Sequence, residues 1–385
     1  MLNKNHYIQN RLLKNFAIKA ENGKYKICVL DLIKFDANYR NTDNCFCQKN
    51  LYDMASGDDV KELEKKFNDL IEKPMSKLLQ RICSAKETVS FTRTELNIVK
   101  KYFLLQHYRT PRNRMSYTNP KKNAFELSQY NLQEGESKED FWKREMLTIL
   151  EHDMFELVQS DMIGVRKHAM EANSSFMMII RTNNEFCIND IGYVTERMPV
   201  QIPKDKEADY IKTAKEIGKE LYGQDNFDEL ARREIANQSS YFDNYVFHPI
   251  SSNCALIMVS PEWKYVPLYP NLLNELQLFS PILLKYLTFP KNDYVNWDKM
   301  KEAKQDDIPQ YFTQEDKFIY TIQTVNKDET IYLNHLIMNE AFCYIGCKTP
   351  SELIPSIRKY NELRAAGQQN MHHDFNGYVE LLSKL

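Results

Sequence analysis

The stretch Gln106-His107-Tyr108-Arg109-Thr110-Pro111-Arg112-Asn113-Arg114 gathers one imidazole and three guanidinium groups into a short run of chain. Histidine supplies a proton acceptor and donor near neutral pH, and arginine grips a phosphate or carboxylate through two parallel N–H groups. Brought together, such side chains bind anions and assist phosphodiester cleavage. Where they point depends on the backbone. Thr94-Glu95 reads as a helix start, and Val99, Phe103 and His107 recur every fourth residue, so the imidazole is expected on the inward face. Pro111 disfavours helical geometry at Thr110 and lacks a backbone donor, which places Arg109 near a helix C-terminus and Arg112 and Arg114 on a loop beyond it. A plainer account also fits: arginine at a helix C-terminus meets the last carbonyls, and histidine on an apolar stripe commonly belongs to the core.

A chain of 385 residues with 43% hydrophobic and 27% charged side chains has an ordinary globular make-up and the length for a substantial core. It reads as one large domain over residues 1–385. Gly is low, at 10, which argues against Gly-rich phosphate loops, and no GxGxxG or P-loop pattern occurs. Lys and Arg number 51 against 53 Asp and Glu, a net charge of -2, so attraction to nucleic acid would need a local patch. The first residues lack the apolar core of a signal peptide, and no run is apolar and long enough to span a bilayer. A cytoplasmic protein with no membrane association is the expectation. The 8 cysteines contain no CxxC and no Cys/His knuckle, so neither a disulfide framework, a structural metal nor a cofactor is expected.

His6-Tyr7 through Phe16 puts Leu12, Leu13 and Phe16 on a short amphipathic helix, followed by a strand at Tyr25–Val29. Leu63, Phe67, Leu70, Ile71, Leu78 and Ile82 fall at helical spacing, with Pro74 expected to kink or divide the helix. Residues 119–138 read as a loop, and 141–168 as one long helix or two stacked ones. Phe176–Arg181 and Phe186–Asp190, bracketing a polar turn, predict a hairpin; Tyr245–Ile250 and Cys254–Val259 predict a second. Residues 204–240, charged and helix-prone, read as an inserted helical subdomain or lid, or as a solvated connector. The remainder returns to helices, around Tyr332–Met338 and from Thr349-Pro350 to Arg364. The expected class is α+β, mainly helical, with helices packed on a small antiparallel sheet.

Four stretches, in order, carry a resemblance: His6-Tyr7 through Phe16; Arg109-Thr110-Pro111 with Arg112 and Arg114; Phe186-Cys187-Ile188-Asn189-Asp190; and Phe247-His248-Pro249-Ile250-Ser251. They resemble the bacterial family catalogued as domain of unknown function 4238. Its members open with His-Tyr-x-Pro-Gln, carry Arg-Thr-Pro mid-chain and later show a strand ending in Ser-Asp-x-Pro. Here Gln9 and Asn10 stand for the family's Pro and Gln, Asn189 for its Ser and Gly192 for its second Pro. The polar character survives while its reach changes. The resemblance implies no activity, so function rests on the residues.

Two functions fit these residues. In the first, the chain is a hydrolase or nuclease-like effector of toxin or phage-defence type, acting without a metal on nucleic acid, a nucleotide or another phosphate-bearing substrate. His6, His107, Arg109 and Asp190 are then catalytic: the histidines move protons, Arg109 holds developing charge and Asp190 orients an imidazole. Asn10, Arg112, Arg114 and Asn189 bind substrate. A two-metal site needs several convergent acids, and the recurring stretches offer only Asp190; Glu151-His152-Asp153 with Glu156 is a weak alternative. In the second, the chain is a non-enzymatic binding or regulatory protein, and the same residues form a buried polar network around an Arg109–Asp190 pair. An open cleft between these side chains favours the first, a sealed cluster the second. Under either, residues 204–237 offer a docking surface for a protein or RNA partner.

Overall fold

A run of strand residues apolar at every position, such as Phe176–Ile180, needs cover on both faces, and that requirement shapes this molecule. In Phe176–Thr182, Met177 and Ile179 belong to one hydrophobic core, while Phe176, Met178 and Ile180 belong to a second. Cys254–Val259 divides likewise, with Leu256 and Met258 on one side and Ala255, Ile257 and Val259 on the other. The computed structural model describes residues 4–49, 51–52, 59–118, 132–199, 241–260, 282–367, 371 and 373–385, with isolated positions between 204 and 212. The lid expected over residues 204–240 lies almost entirely outside the described residues.

In chain order, β1 (Lys4–His6) leads into α1 (Asn10–Leu13), β2 (Ile18–Lys19), β3 (Tyr25–Asp31), β4 (Asp36–Asn41) and β5 (Cys47–Lys49). Next come α2 (Asp59–Lys66), a π-helical stretch (Phe67–Glu72), α3 (Lys73–Ser84), β6 (Thr88–Thr92), α4 (Arg93–Tyr108) and α5 (Pro111–Thr118). Among the described residues, three helices come after these, α6 (Lys138–Glu151), α7 (Met154–Leu157) and α8 (Ile163–Ser174), then β7 (Phe176–Thr182), β8 (Ile188–Asn189), β9 (Val194–Pro199), β10 (Tyr241–Ser251) and β11 (Cys254–Val259). The last are β12 (Lys291–Asp293), α9 (Trp297–Glu302), β13 (Lys317–Val325), α10 (Lys327–Glu340), β14 (Tyr344–Cys347), α11 (Pro350–Ala365) and α12 (Tyr378–Ser383).

The strands make a seven-stranded sheet in the order β12-β13-β7-β11-β10-β9, with β6 also on β13, a five-stranded sheet in the order β2-β3-β14-β8, with β4 also on β3, and a two-stranded β1-β5 pair. β13 runs parallel to β7, so the larger sheet is mixed. One core carries α1, α3, α4 and α6 to α8; the other carries α10, α11 and α12. The expectation of a mainly helical chain on a small antiparallel sheet is therefore corrected. The class is α+β with extended sheets, one of them mixed. The C-terminal part read as helical supplies β13, which joins a strand far upstream.

The first expected hairpin does not form. β7 and β8 belong to different sheets, because the chain leaves β7 along the β10–β11 turn, with Thr182 N donating to Asn253 O at 3.1 Å and Phe186 N to Ser252 O at 2.7 Å. The second does form, paired from Tyr245↔Val259 to Pro249↔Ala255 and, after a one-residue register shift, at Ser251↔Cys254. α4 begins ahead of the expected start, since Thr92 and Glu95 form a reciprocal capping box. Pro74 sits in the first turn of α3, and the wider π turn ahead of it lets the helix run on past the donor that proline lacks. The span 141–168 is three helices rather than one or two. Asp153 and Glu156 cap α7, and Glu151 pairs with Lys66 at 2.7 Å, so these acids serve the helices. Among the described residues, no three His, Cys, Asp or Glu side chains are grouped to hold a metal ion, and no helix is long and apolar enough to cross a membrane.

Candidate active site

The four stretches of the family pattern meet at the loop between β8 and β9. Gln106, near the end of α4, donates through Nε2 to the carbonyls of Tyr7 and Ile191, each at 3.0 Å. Asn189 shapes the loop: its Oδ1 accepts from the amides of Ile191 at 3.2 Å and Gly192 at 2.9 Å, and its Nδ2 donates to the carbonyls of Tyr193 and Ile337. Gly192 has φ +84°, and a Cβ there would lie 2.7 Å from Ile8 Cδ1. Proline cannot adopt that angle, so the departure from the family pattern accompanies a left-handed turn. His248 stacks on Phe103 at 3.7 Å between centroids, and burial lowers its pKa to about 3. It is a neutral core residue.

Asp190 is 5% exposed and clamps the turn between α10 and β14. Its Oδ1 accepts from Phe342 N at 2.8 Å, and its Oδ2 from Cys343 N at 2.6 Å and Tyr344 N at 3.2 Å. Burial pushes this carboxyl up to about 6, with the backbone amides pulling the other way. Both oxygens face N–H groups, so Asp190→Asn turns an NH2 against an amide. The expected loss is about 1–3 kcal/mol, the desolvation penalty of a buried group left unsatisfied. It is read as a lower urea midpoint at constant m-value. An unchanged midpoint would contradict the clamp.

Arg109 does not pair with Asp190. Its side chain, 3% exposed, donates through Nη1 to Glu72 Oε1 at 2.9 Å and through Nη2 to the carbonyl of His6 at 2.6 Å. The guanidinium lies over the Phe67 ring, 4.8 Å from its centroid, and Tyr52 Oη donates to the Arg109 carbonyl at 3.0 Å. Burial alone would lower its pKa; Tyr52 and Glu72 reverse this, so the group stays charged. The His6 ring turns to Thr42 O, 3.3 Å away, and burial lowers its pKa. Asn10 donates to Asp43 at 2.6 Å, and Arg114 to Glu139 at 2.7 Å. Arg112 and Arg114 are on α5, not on a loop as expected.

His107 and Arg112 have a different environment. They line a cleft of about 360 Å³ with Thr110, Asn113, Ser116, Ile191, Tyr193, Val194, Thr195 and Glu340. His107 Nδ1 is 2.7 Å from Tyr193 Oη, and its ring centroid lies 4.6 Å from that of His168. Behind them, His168 Nδ1 meets Tyr108 Oη at 2.8 Å. Burial, then the proximity of His107 and Lys167, holds His168 well below the ordinary histidine pKa, so it is neutral. Arg112 meets Glu340 at 3.1 Å in a solvent-exposed pair. The cleft thus offers an oriented imidazole, a phenol, an exposed guanidinium that donates to the carboxylate and, at 3.3 Å, the carbonyl of Glu340, and hydroxyls from Thr110, Ser116 and Thr195.

The family model described as a protein of unknown function, DUF4238, matches residues 4–349. The chain belongs to the DUF4238 family. No curated protein and no solved structure matches it. In this DUF4238 chain the eight site residues read from sequence divide into two sets. Arg109, Asp190 and Asn189 are sealed into hydrogen-bond networks. With them in the set that stays out of the cleft are His6, Asn10 and Arg114, each paired elsewhere, with Thr42, Asp43 and Glu139. His107 and Arg112 alone of the eight line the cleft. Sequence reasoning missed Tyr193, Ser116, Glu340 and His168. Tyr193 stands just past Asp190, in reach of the same motif; Glu340 carries no local signal.

Proposed function

We propose that the cleft is a catalytic site for a phosphate-bearing substrate, nucleic acid or nucleotide, with His107 as general acid–base. The observation carrying this reading is the 2.7 Å contact of His107 with Tyr193 in the wall of a cleft that also presents Arg112. A hydrogen bond at one ring nitrogen fixes the orientation of the imidazole and sets its tautomer. Arg112 is held by an exposed carboxylate, a kind of pair worth about 0–1 kcal/mol. An incoming phosphate displaces Glu340 at little cost and gains a two-point contact. Asn113 and Ser116, three residues apart on α5, share a face and add neutral hydrogen-bonding groups.

In the reaction His107 takes a proton from the attacking water or hydroxyl. Arg112 grips the non-bridging oxygens and orients the phosphate, and His107 returns the proton to the leaving oxygen. The test is purified protein assayed on RNA, single-stranded DNA, duplex DNA and nucleotides. Arg112→Ala is expected to raise KM about tenfold while kcat changes little, because a phosphate contact made equally in the ground state is uniform binding. No turnover on any of these substrates, or turnover that Arg112→Ala leaves untouched, would overturn the reading.

A further inference from the structure

A second reactive cluster lies where the end of α3 meets the β10–β11 hairpin. Arg181 of β7 donates through Nη2 to the carbonyls of Ile82, at 3.1 Å, and Cys83, which clasps the last turn of α3. Arg181 is also the cross-strand partner of Cys254, the first residue of β11. The clasp brings the thiols of Cys83 and Cys254 into hydrogen-bonding reach, with the Ser251 side chain and the Arg181 charge beside them. Cys254 is fully buried. Cys83 is partly exposed and lines a cavity of about 540 Å³ with Arg11, Asn15, Ser76, Leu79 and Gln80.

We propose that Cys83 and Cys254 form an oxidation site, in which Cys83 reduces a hydroperoxide entering the cavity and Cys254 resolves the product as a disulfide joining α3 to β11. The Cys83 thiolate attacks the outer oxygen of ROOH, and the O–O bond breaks. RO⁻ leaves and takes the proton that Cys83 released, giving ROH and a Cys83 sulfenic acid. The Cys254 sulfur then attacks the Cys83 sulfur. The S–O bond breaks, hydroxide leaves with the Cys254 proton as water, and the S–S bond forms. Two thiols are oxidised by two electrons and one peroxide is reduced.

The order of events comes from the surroundings. Hydrogen bonding from Cys254 is the largest influence on Cys83, and with Ser251 and the Arg181 charge it holds this thiol below the ordinary range against burial. The proton stays on Cys254, whose thiol is held up by its bond to Cys83 and by burial. The thiolate is the nucleophile, so the cysteine that carries it beside a cavity reacts first. Cys28 and Cys347 also face each other, across β3 and β14, but both are fully buried and serve as an internal control.

The full-length protein is treated with hydrogen peroxide, alkylated under denaturing conditions and mapped by mass spectrometry. A Cys83–Cys254 disulfide is expected at peroxide levels that leave the other cysteines reduced, with Cys83 the first cysteine to react, since it carries the thiolate beside the cavity. In Cys254→Ser, dimedone is expected to label Cys83. Cys45 or Cys47 reacting first, or dimedone failing to find Cys83, would overturn the proposal. The wild-type map needs no variant, so it stands if Cys254→Ser fails to fold.

Discussion

Arg109→Ala is expected to destabilise the protein by about 3 kcal/mol, the lower end of the cost of removing one partner from a buried ion pair. The lower end applies because the Glu72 side chain keeps 19% exposure, so water partly screens the carboxylate left behind. The loss goes beyond charge. Arg109 also holds the His6 carbonyl, and so ties β1 to the end of α4, while its plane covers Phe67. Lysine keeps the charge but not the fork, and one ammonium cannot reproduce the Glu72 and His6 contacts with the same geometry. Arg109→Lys is therefore expected to recover less than half of the loss. Removing Glu72 as well leaves no stranded carboxylate, so Arg109→Ala combined with Glu72→Ala is expected to lose less than the two single losses added. Urea denaturation of wild type, both single alanine variants, the double variant and Arg109→Lys measures this. An Arg109→Ala midpoint equal to wild type would show that the ion pair holds nothing.

Elements built from local contacts are legible in the sequence, and those built from remote pairings are not. α4 can be read because its stripe and nearby capping residues are local, and the β10–β11 hairpin because its turn is short. The all-apolar run of β7 resembles a hairpin arm, although a strand apolar at every position signals cover on both faces and a central place in a sheet. β13 escapes a sequence reading because its parallel partner is remote, and such a pairing leaves no turn to read. At the site, residue type identifies His107 and Arg112, but type alone does not separate them from Arg109. That distinction depends on Tyr52 and Glu72, 57 and 37 residues away, and on Glu340, 228 residues from Arg112. The polar motifs hold the walls of the cleft more than they line it. Asn189 and Asp190 fix the loop that presents Tyr193, and Gln106 fixes the helix that presents His107.

His107→Gln is expected to lower kcat about 10²- to 10⁴-fold, the usual contribution of a positioned acid–base group, on whichever phosphate substrate the wild type turns over. Glutamine retains an amide that can meet the Tyr193 hydroxyl, yet it titrates nothing. It also fills the half-buried space beside His168 that alanine would leave empty, so the melting temperature should stay near that of wild type. Tyr193→Phe keeps the ring, whose centroid lies 6.0 Å from His107 and 5.5 Å from His248, and removes only the hydroxyl. Its expected effect is smaller, about tenfold in kcat, with a displaced pH profile, because the imidazole keeps its place and loses the hydrogen-bond partner at Nδ1. A tyrosine that merely packed would leave that profile where it was. If His107→Gln turned over at the wild-type rate with an unaltered pH profile, the imidazole would have no part in the chemistry, and the cleft would have to be read as a binding groove.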